Sequence, residues 1–398
     1  MDTLTRATPH TDAADLVAEL AGVEDRALTL RWPDGATHRF DAVWLRDNAR
    51  GDAHRHGGND QRLFDVADLP ADITIAAAEI AADGNLRLTV EPEGLDLVFS
   101  PGWLRVNAYD GRSGVGGNED GEGGAPATWD ARLADRLVRH DYAAVTRDPA
   151  ALYDWLDAIR ADGFALMHNV PAEPGMVCRL ASLFGFVRET NYGRLFDVRS
   201  EARPNNMAFT AAGLGVHTDN PYRDPVPGLQ LLHCLAAEED GGASIVVDGF
   251  EAARRLAESA PEDFALLARW RVPFRYRTGT TDLRARRRLI EVDEAGRPIA
   301  VAYNNRSIAP LDLPAEVMPA YYRAYRRFSE VLRDPSLAVR FKMGPGDLFV
   351  VDNRRVLHGR DGFAGGTRHL QGCYADMDSL LSQLRVMERE RGGEGERA

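Results

Sequence analysis

Gly346-Asp-Leu-Phe-Val-Val-Asp-Asn353 is one of a series of short apolar runs that recur from about residue 206 onward. The others are Gly228-Leu-Gln-Leu-Leu-His-Cys-Leu235, Ala243-Ser-Ile-Val-Val-Asp-Gly-Phe250, Pro298-Ile-Ala-Val-Ala-Tyr-Asn-Asn305 and Arg368-His-Leu-Gln-Gly-Cys-Tyr-Ala-Asp376. Each is short, rich in apolar and β-branched residues, and bounded by Gly, Pro, Asn or Asp, which is the signature of a strand between turns. Helical patterning intervenes at residues 150–163, 174–183, 250–259 and 317–332. Many short strands with a few helices outside them predict an α+β, mainly β fold: a double-sheet jelly roll with flanking helices.

Toward the N-terminus the pattern changes. Ala27-Leu-Thr-Leu-Arg-Trp32 alternates apolar and polar residues, Pro33-Asp34-Gly35 supplies a turn, and Thr37-His-Arg-Phe40 returns as a hairpin. With strands around 86–90 and 96–99, leading into Gly102-Trp-Leu-Arg105, residues 27–107 read as a small β-rich accessory domain. The stretch Tyr109–Ala127, YDGRSGVGGNEDGEGGAPA, has almost nothing to bury and reads as a linker or exposed loop. The expected division is therefore a flexible N-terminus at 1–26, the accessory domain at 27–107, a Gly-rich linker at 108–140, a catalytic domain at 141–388 and a disordered tail at 389–398.

The 398 residues have a net charge of −13, which argues against nucleic acid or an anionic membrane as the main partner. Cys178, Cys234 and Cys373 are few, odd in number and far apart, as expected of reduced thiols in the cytoplasm. No apolar run approaches a membrane span, and Met1–Glu19 lacks the apolar core of a signal peptide.

Within the β-type region, His217-Thr-Asp219 places an imidazole and a carboxylate two residues apart, on one face if the segment is a strand. His358, in Val-Leu-His-Gly-Arg, supplies a second imidazole from a distant strand. Two His and one carboxylate leave coordination positions open, which suits Fe(II) binding a bidentate cosubstrate and O₂. Arg368, ten residues after His358, presents a guanidinium able to hold the distal carboxylate of 2-oxoglutarate through paired hydrogen bonds.

These motifs sit in longer stretches that resemble the γ-butyrobetaine hydroxylase branch of the taurine dioxygenase-like 2-oxoglutarate oxygenases. They are WLRDN at 44–48, NYGRLFDVRS at 191–200, NNMAFT at 205–210, HTDNPYRDPVPGLQLLHCL at 217–235, VDGF at 247–250, FKMGPGDLFVVDNRRVLHGR at 341–360 and RHLQGCYADMD at 368–378. The resemblance implies a double-stranded β-helix catalytic domain, an N-terminal accessory domain, a homodimer, and dioxygenase chemistry with Fe(II), 2-oxoglutarate and O₂. Relatives often carry zinc in the N-terminal domain, on cysteines directly after WLRDN and a later histidine. Here the segment reads Ala49-Arg-Gly-Asp-Ala-His54-Arg-His56, so no zinc is expected and the two histidines read as solvated.

The same resemblance assigns an aromatic cage for a trimethylammonium group to Tyr192, Phe196, Phe209 and Tyr374, although Phe196 and Phe209 taken alone read better as core. It also assigns anion-binding amides to Asn206 and to the Asn304-Asn305 pair, of which Asn305 is taken as the inward residue. Arg306 follows directly, either facing the pocket or lying on an exposed loop. In the pocket it would favour 2-(trimethylamino)ethylphosphonate over γ-butyrobetaine, because it adds charge for a dianion. The alternatives are the same chemistry on trimethyllysine or a secondary metabolite, and a non-catalytic jelly-roll protein that binds quaternary amines.

Overall fold

The computed structural model describes residues 18–110, 126–199, 213–237, 240–364 and 367–391, which fall into two compact units. Asn206 and Phe209 lie outside the described residues, as does most of the Gly-rich stretch.

In the N-terminal unit, strands Glu19–Glu24, Ala27–Arg31 and Thr37–Asp41 form one antiparallel sheet, and Thr74–Ile80, Leu86–Glu91 and Leu95–Phe99 form another. Alternation decides their inner faces. Leu28 and Leu30, and Leu86, Leu88 and Val90, are buried together with Phe40, Leu45 and Leu104, while Arg87 points outward. Gly35, at φ 82°, closes the hairpin turn in a conformation that other residues rarely adopt. Ser100 caps a helix at Pro101–Val106, so Gly102–Arg105 are helical. The expectation of a flexible segment up to residue 26 is corrected by the strand Glu19–Glu24, which pairs with Ala27–Arg31. The linker also starts later than expected, because the Tyr109 hydroxyl donates to Asp41 Oδ2 at 2.9 Å. His56 is exposed, but His54 is half-buried and packs edge-on against Phe64, which corrects its reading as a solvated residue.

The second unit is built on two sheets. The larger runs in the order Phe196–Arg199, Arg368–Ala375, Leu229–Ala237, Leu348–Asp352, Phe164–His168, Arg139–Asp141, with Val187–Arg188 also pairing to Arg368–Ala375. The smaller runs Leu214–His217, Val356–Arg360, Ser244–Asp248, Val339–Phe341. Leu232, Cys234, Phe349, Val351 and Leu370 of the first sheet share a core with Val246, Val339, Phe341 and Val356 of the second. One residue along each strand, the direction reverses. Leu229, Leu231, Leu348 and Val350 face helices Pro149–Asp162, Met176–Ala181 and Met377–Arg391 through Trp155, Leu156, Leu180, Leu380 and Leu384. Behind the smaller sheet, Val247 and Leu357 meet helices Gly249–Ser259, Pro261–Arg269 and Met318–Leu332.

A buried ion pair ties these layers together. Arg355 reaches Asp248 at 2.9 Å and the carbonyls of Ala127 and Ala161 at 2.7 Å each, while Asp248 caps the helix at Phe250 and accepts from the Trp129 amide. Residues from Ala127 on are therefore anchored in this unit and not in a linker. The C-terminal helix runs to Arg391, so the expected tail at 389–398 begins inside it. Helix Pro261–Arg269 and the hairpin Val272–Arg277/Asp282–Arg287 went unread in the sequence; in the second strand the charged Asp282, Arg284, Arg286 and Arg287 mask the alternation of Leu283 and Ala285. No helix among the described residues is long and apolar enough to cross a membrane.

Candidate active site

Between the two sheets lies a cavity of about 470 Å³ whose walls include His217, Asp219, His358, Arg368, Tyr192, Phe196, Tyr374 and Arg306. His217 and His358 are register partners on adjacent strands, with ring centroids 4.5 Å apart. Asp219 Oδ1 sits 3.3 Å from His217 Nε2 and 4.0 Å from His358 Nε2, and the three ligand atoms lie within 4.8 Å of one another. Among the described residues, this is the group of three that could hold a metal ion.

Three details fit the donor set to Fe(II). His217 Nδ1 donates to the Gly215 carbonyl at 2.9 Å, so the proton is on Nδ1 and the Nε2 lone pair faces the centre. Burial, then the facing His217, drive the His358 imidazole down to about 3, so it is neutral and able to ligate. Burial alone would raise the Asp219 carboxyl, yet hydrogen bonds and the two imidazoles hold it well below the usual carboxylate range. Two nitrogens and one carboxylate oxygen on one side of a cavity match a mononuclear iron site with positions left open.

Strand alternation does not account for Asp219, because the strand ends at His217. The next residues are held from elsewhere. Thr218 N donates to the Tyr303 carbonyl at 2.8 Å, and Tyr303 N donates back to Thr218 Oγ1 at 3.0 Å. Asn353, fully buried, accepts from Asp219 N at 2.6 Å and donates to the carbonyls of Asp219 at 2.9 Å and Pro227 at 3.0 Å. The carboxylate is then fixed by Gln230 Nε2 and the Tyr374 hydroxyl, each 2.7 Å from Oδ2.

Arg368 opens the strand that carries Tyr374, is 8% exposed, and lines the same cavity. The aromatic wall is wider than the sequence indicates. Phe196 lies 5.1 Å from Tyr374 and 6.1 Å from Tyr192, Tyr192 meets Tyr276 at 5.9 Å, and Tyr276 stacks on Tyr222 at 5.1 Å. Phe196 lies flat over its neighbour because Gly372 has no side chain, and a Cβ there would come within 2.6 Å of the ring. Tyr222 donates to Asn220 Oδ1 at 2.6 Å, which leaves Tyr192 to donate to Tyr222 at 3.2 Å. Asn220 has φ 53°, and its Nδ2 is buried without a partner among the described residues.

Asn305 is corrected. It is exposed and accepts from Tyr325 at 2.7 Å, whereas Asn304, buried, and Arg306, itself exposed to solvent, line the cavity. The strand Pro298–Val301 has ended by then, and a turn closed by Ser307 N on the Asn304 carbonyl sets the side-chain directions. Desolvation on the cavity side lowers the Arg306 pKa, against the opposing pull of the Asp219 carboxylate. Arg277, unread in the sequence, also lines the cavity.

Residues 125–374 match the taurine catabolism dioxygenase TauD, TfdA family, and residues 21–107 match the γ-butyrobetaine hydroxylase-like N-terminal family. The chain is 40% identical to a γ-butyrobetaine dioxygenase of Pseudomonas sp. (strain AK-1) over 378 residues, 94% of this chain and 97% of that protein. It is 29% identical to the Homo sapiens γ-butyrobetaine dioxygenase, covering 91% and 94% of the two chains, and 31% identical to the mitochondrial trimethyllysine dioxygenase of Rattus norvegicus, covering 88% and 83%. By fold, site and these likenesses, the chain belongs to the γ-butyrobetaine hydroxylase-like branch of the TauD/TfdA family and is an Fe(II)- and 2-oxoglutarate-dependent dioxygenase.

Proposed function

We propose that this enzyme hydroxylates a small trimethylammonium zwitterion at the carbon two bonds from nitrogen, with 2-(trimethylamino)ethylphosphonate favoured over γ-butyrobetaine. The two facing sheets are read as the double-stranded β-helix of the family. Fe(II) would be held by His217, Asp219 and His358, and supplies the activation of O₂ that couples decarboxylation of 2-oxoglutarate to hydroxylation. Arg368 would hold the distal carboxylate of the cosubstrate. The rings of Tyr192, Phe196 and Tyr374, joined by Tyr222 and Tyr276, offer π-faces and apolar surface to the methylated nitrogen. Such a cage fixes the ammonium and so presents one C–H to the metal, which is catalysis by positioning.

The observation that supports the substrate choice is that Arg306 lines the same cavity as Asp219 and His358. In the phosphonate the anionic group is bonded directly to the attacked carbon. In γ-butyrobetaine a further methylene intervenes. A guanidinium on the wall of the cavity that holds the metal-binding residues therefore suits the phosphonate, and Arg277 adds a second cation to that wall. Arg306→Gln should lower kcat/KM for the phosphonate more than for γ-butyrobetaine. Equal losses on both would remove the argument for the phosphonate.

A further inference from the structure

Asp219 presents its two oxygens to different surroundings. Oδ1 faces the imidazoles, and Oδ2 accepts from both Gln230 Nε2 and the Tyr374 hydroxyl at 2.7 Å. The two donors arrive together because Gln230 and Tyr374 are directly opposite one another on strands Leu229–Ala237 and Arg368–Ala375, so their side chains leave the sheet on the same face. Both are almost fully buried, at 2% and 4% exposure. A carboxylate only accepts, which fixes the Gln230 amide with its NH₂ toward Asp219. By the same reasoning the Tyr374 hydroxyl is the donor in its bond to Asp219 Oδ2.

We propose that Gln230 and Tyr374 are positioning residues that hold Asp219 as a one-oxygen ligand of the metal. With Oδ2 engaged by two charge-assisted hydrogen bonds, chelation through both carboxylate oxygens would have to break them. The carboxylate therefore takes one coordination position and not two, which leaves room for a bidentate cosubstrate and O₂ beside two imidazoles. Tyr374 has a double placement: its ring packs 5.1 Å from Phe196 in the cavity wall while its hydroxyl orients the metal ligand. This inference concerns the metal end alone and does not depend on which substrate the cavity takes.

The test is titration of the full chain with Mn(II), following the free ion by electron paramagnetic resonance, followed by calorimetric binding of 2-oxoglutarate to the Mn(II) form. Tyr374→Phe keeps the ring and removes the donor, and Gln230→Leu removes the amide. Loss of an outer hydrogen-bond partner of a metal ligand weakens metal binding by about 10–100-fold. Each variant is expected to lose about tenfold in Mn(II) affinity, the double variant more, with 2-oxoglutarate affinity falling in parallel. Melting temperatures serve as the folding control. Should Gln230→Leu fail to fold, Tyr374→Phe alone decides. Mn(II) and 2-oxoglutarate affinities within twofold of the parent in every folded variant would overturn the proposal.

Discussion

The two ends of the cavity are held differently. At the metal end Asn353 holds the Asp219 backbone, Gln230 and Tyr374 hold its carboxylate, and Gly215 orients His217, while His358 Nδ1 and Gln230 Oε1 are buried without a partner among the described residues. Toward the substrate end the donors are left open. The guanidinium groups of Arg277 and Arg306 have no hydrogen-bond or ion-pair acceptor among the described residues, and Asn220 Nδ2 is buried unpaired, whereas neighbouring Arg275 is neutralised by Asp282 at 2.8 Å. Buried polar groups are normally satisfied, so the unpaired Asn220 Nδ2 marks where a ligand completes the set, and the solvent-exposed guanidinium groups of Arg277 and Arg306 are open to the same ligand. The contrast separates what must be rigid before the reaction from what the substrate itself supplies.

The largest effect should come from breaking the rigid end. His217→Ala and His358→Ala should each abolish 2-oxoglutarate-dependent succinate formation, measured on the Fe(II)-loaded enzyme. Asn353→Ala should cost about 2–4 kcal/mol in urea unfolding, because it leaves buried backbone groups of Asp219 and Pro227 unpaired. It should also loosen the metal, which a purely structural defect elsewhere would not do. At the open end, Arg306→Gln should reduce kcat/KM for the phosphonate about 10–100-fold with little change in stability, since the native guanidinium satisfies no group among the described residues. Tyr276→Leu removes one aromatic face and should cost about 0.5–2 kcal/mol of apparent binding, read as a rise in KM. Arg277→Gln, nearer solvent, should give the smallest change, about threefold, and its effect should shrink as salt is added.

The sequence makes the metal group legible because its members lie in short motifs on strong strand signals, and His358 occupies the middle of one such strand. It misleads on Asp219. Two-residue spacing suggests one strand face, but the strand stops at His217 and the carboxylate is placed by Asn353, 134 residues away. It misleads on Asn305 for a related reason, since a turn replaces the expected strand. Tyr276 and Arg277 leave no readable trace, because they lie in an arginine-rich hairpin whose polar alternation hides its buried side. Gln230 is equally silent, as its role exists only through its register with Tyr374.

The most direct test of the central claim is succinate formation by Fe(II)-loaded enzyme with 2-oxoglutarate and O₂, comparing 2-(trimethylamino)ethylphosphonate, γ-butyrobetaine and the neutral tert-butyl counterpart of the phosphonate. The account predicts strong stimulation by the first, weaker stimulation by the second, and little by the third, which keeps the shape but loses the cation. Equal stimulation by the tert-butyl compound, or none by any of the three above the rate without substrate, would contradict it.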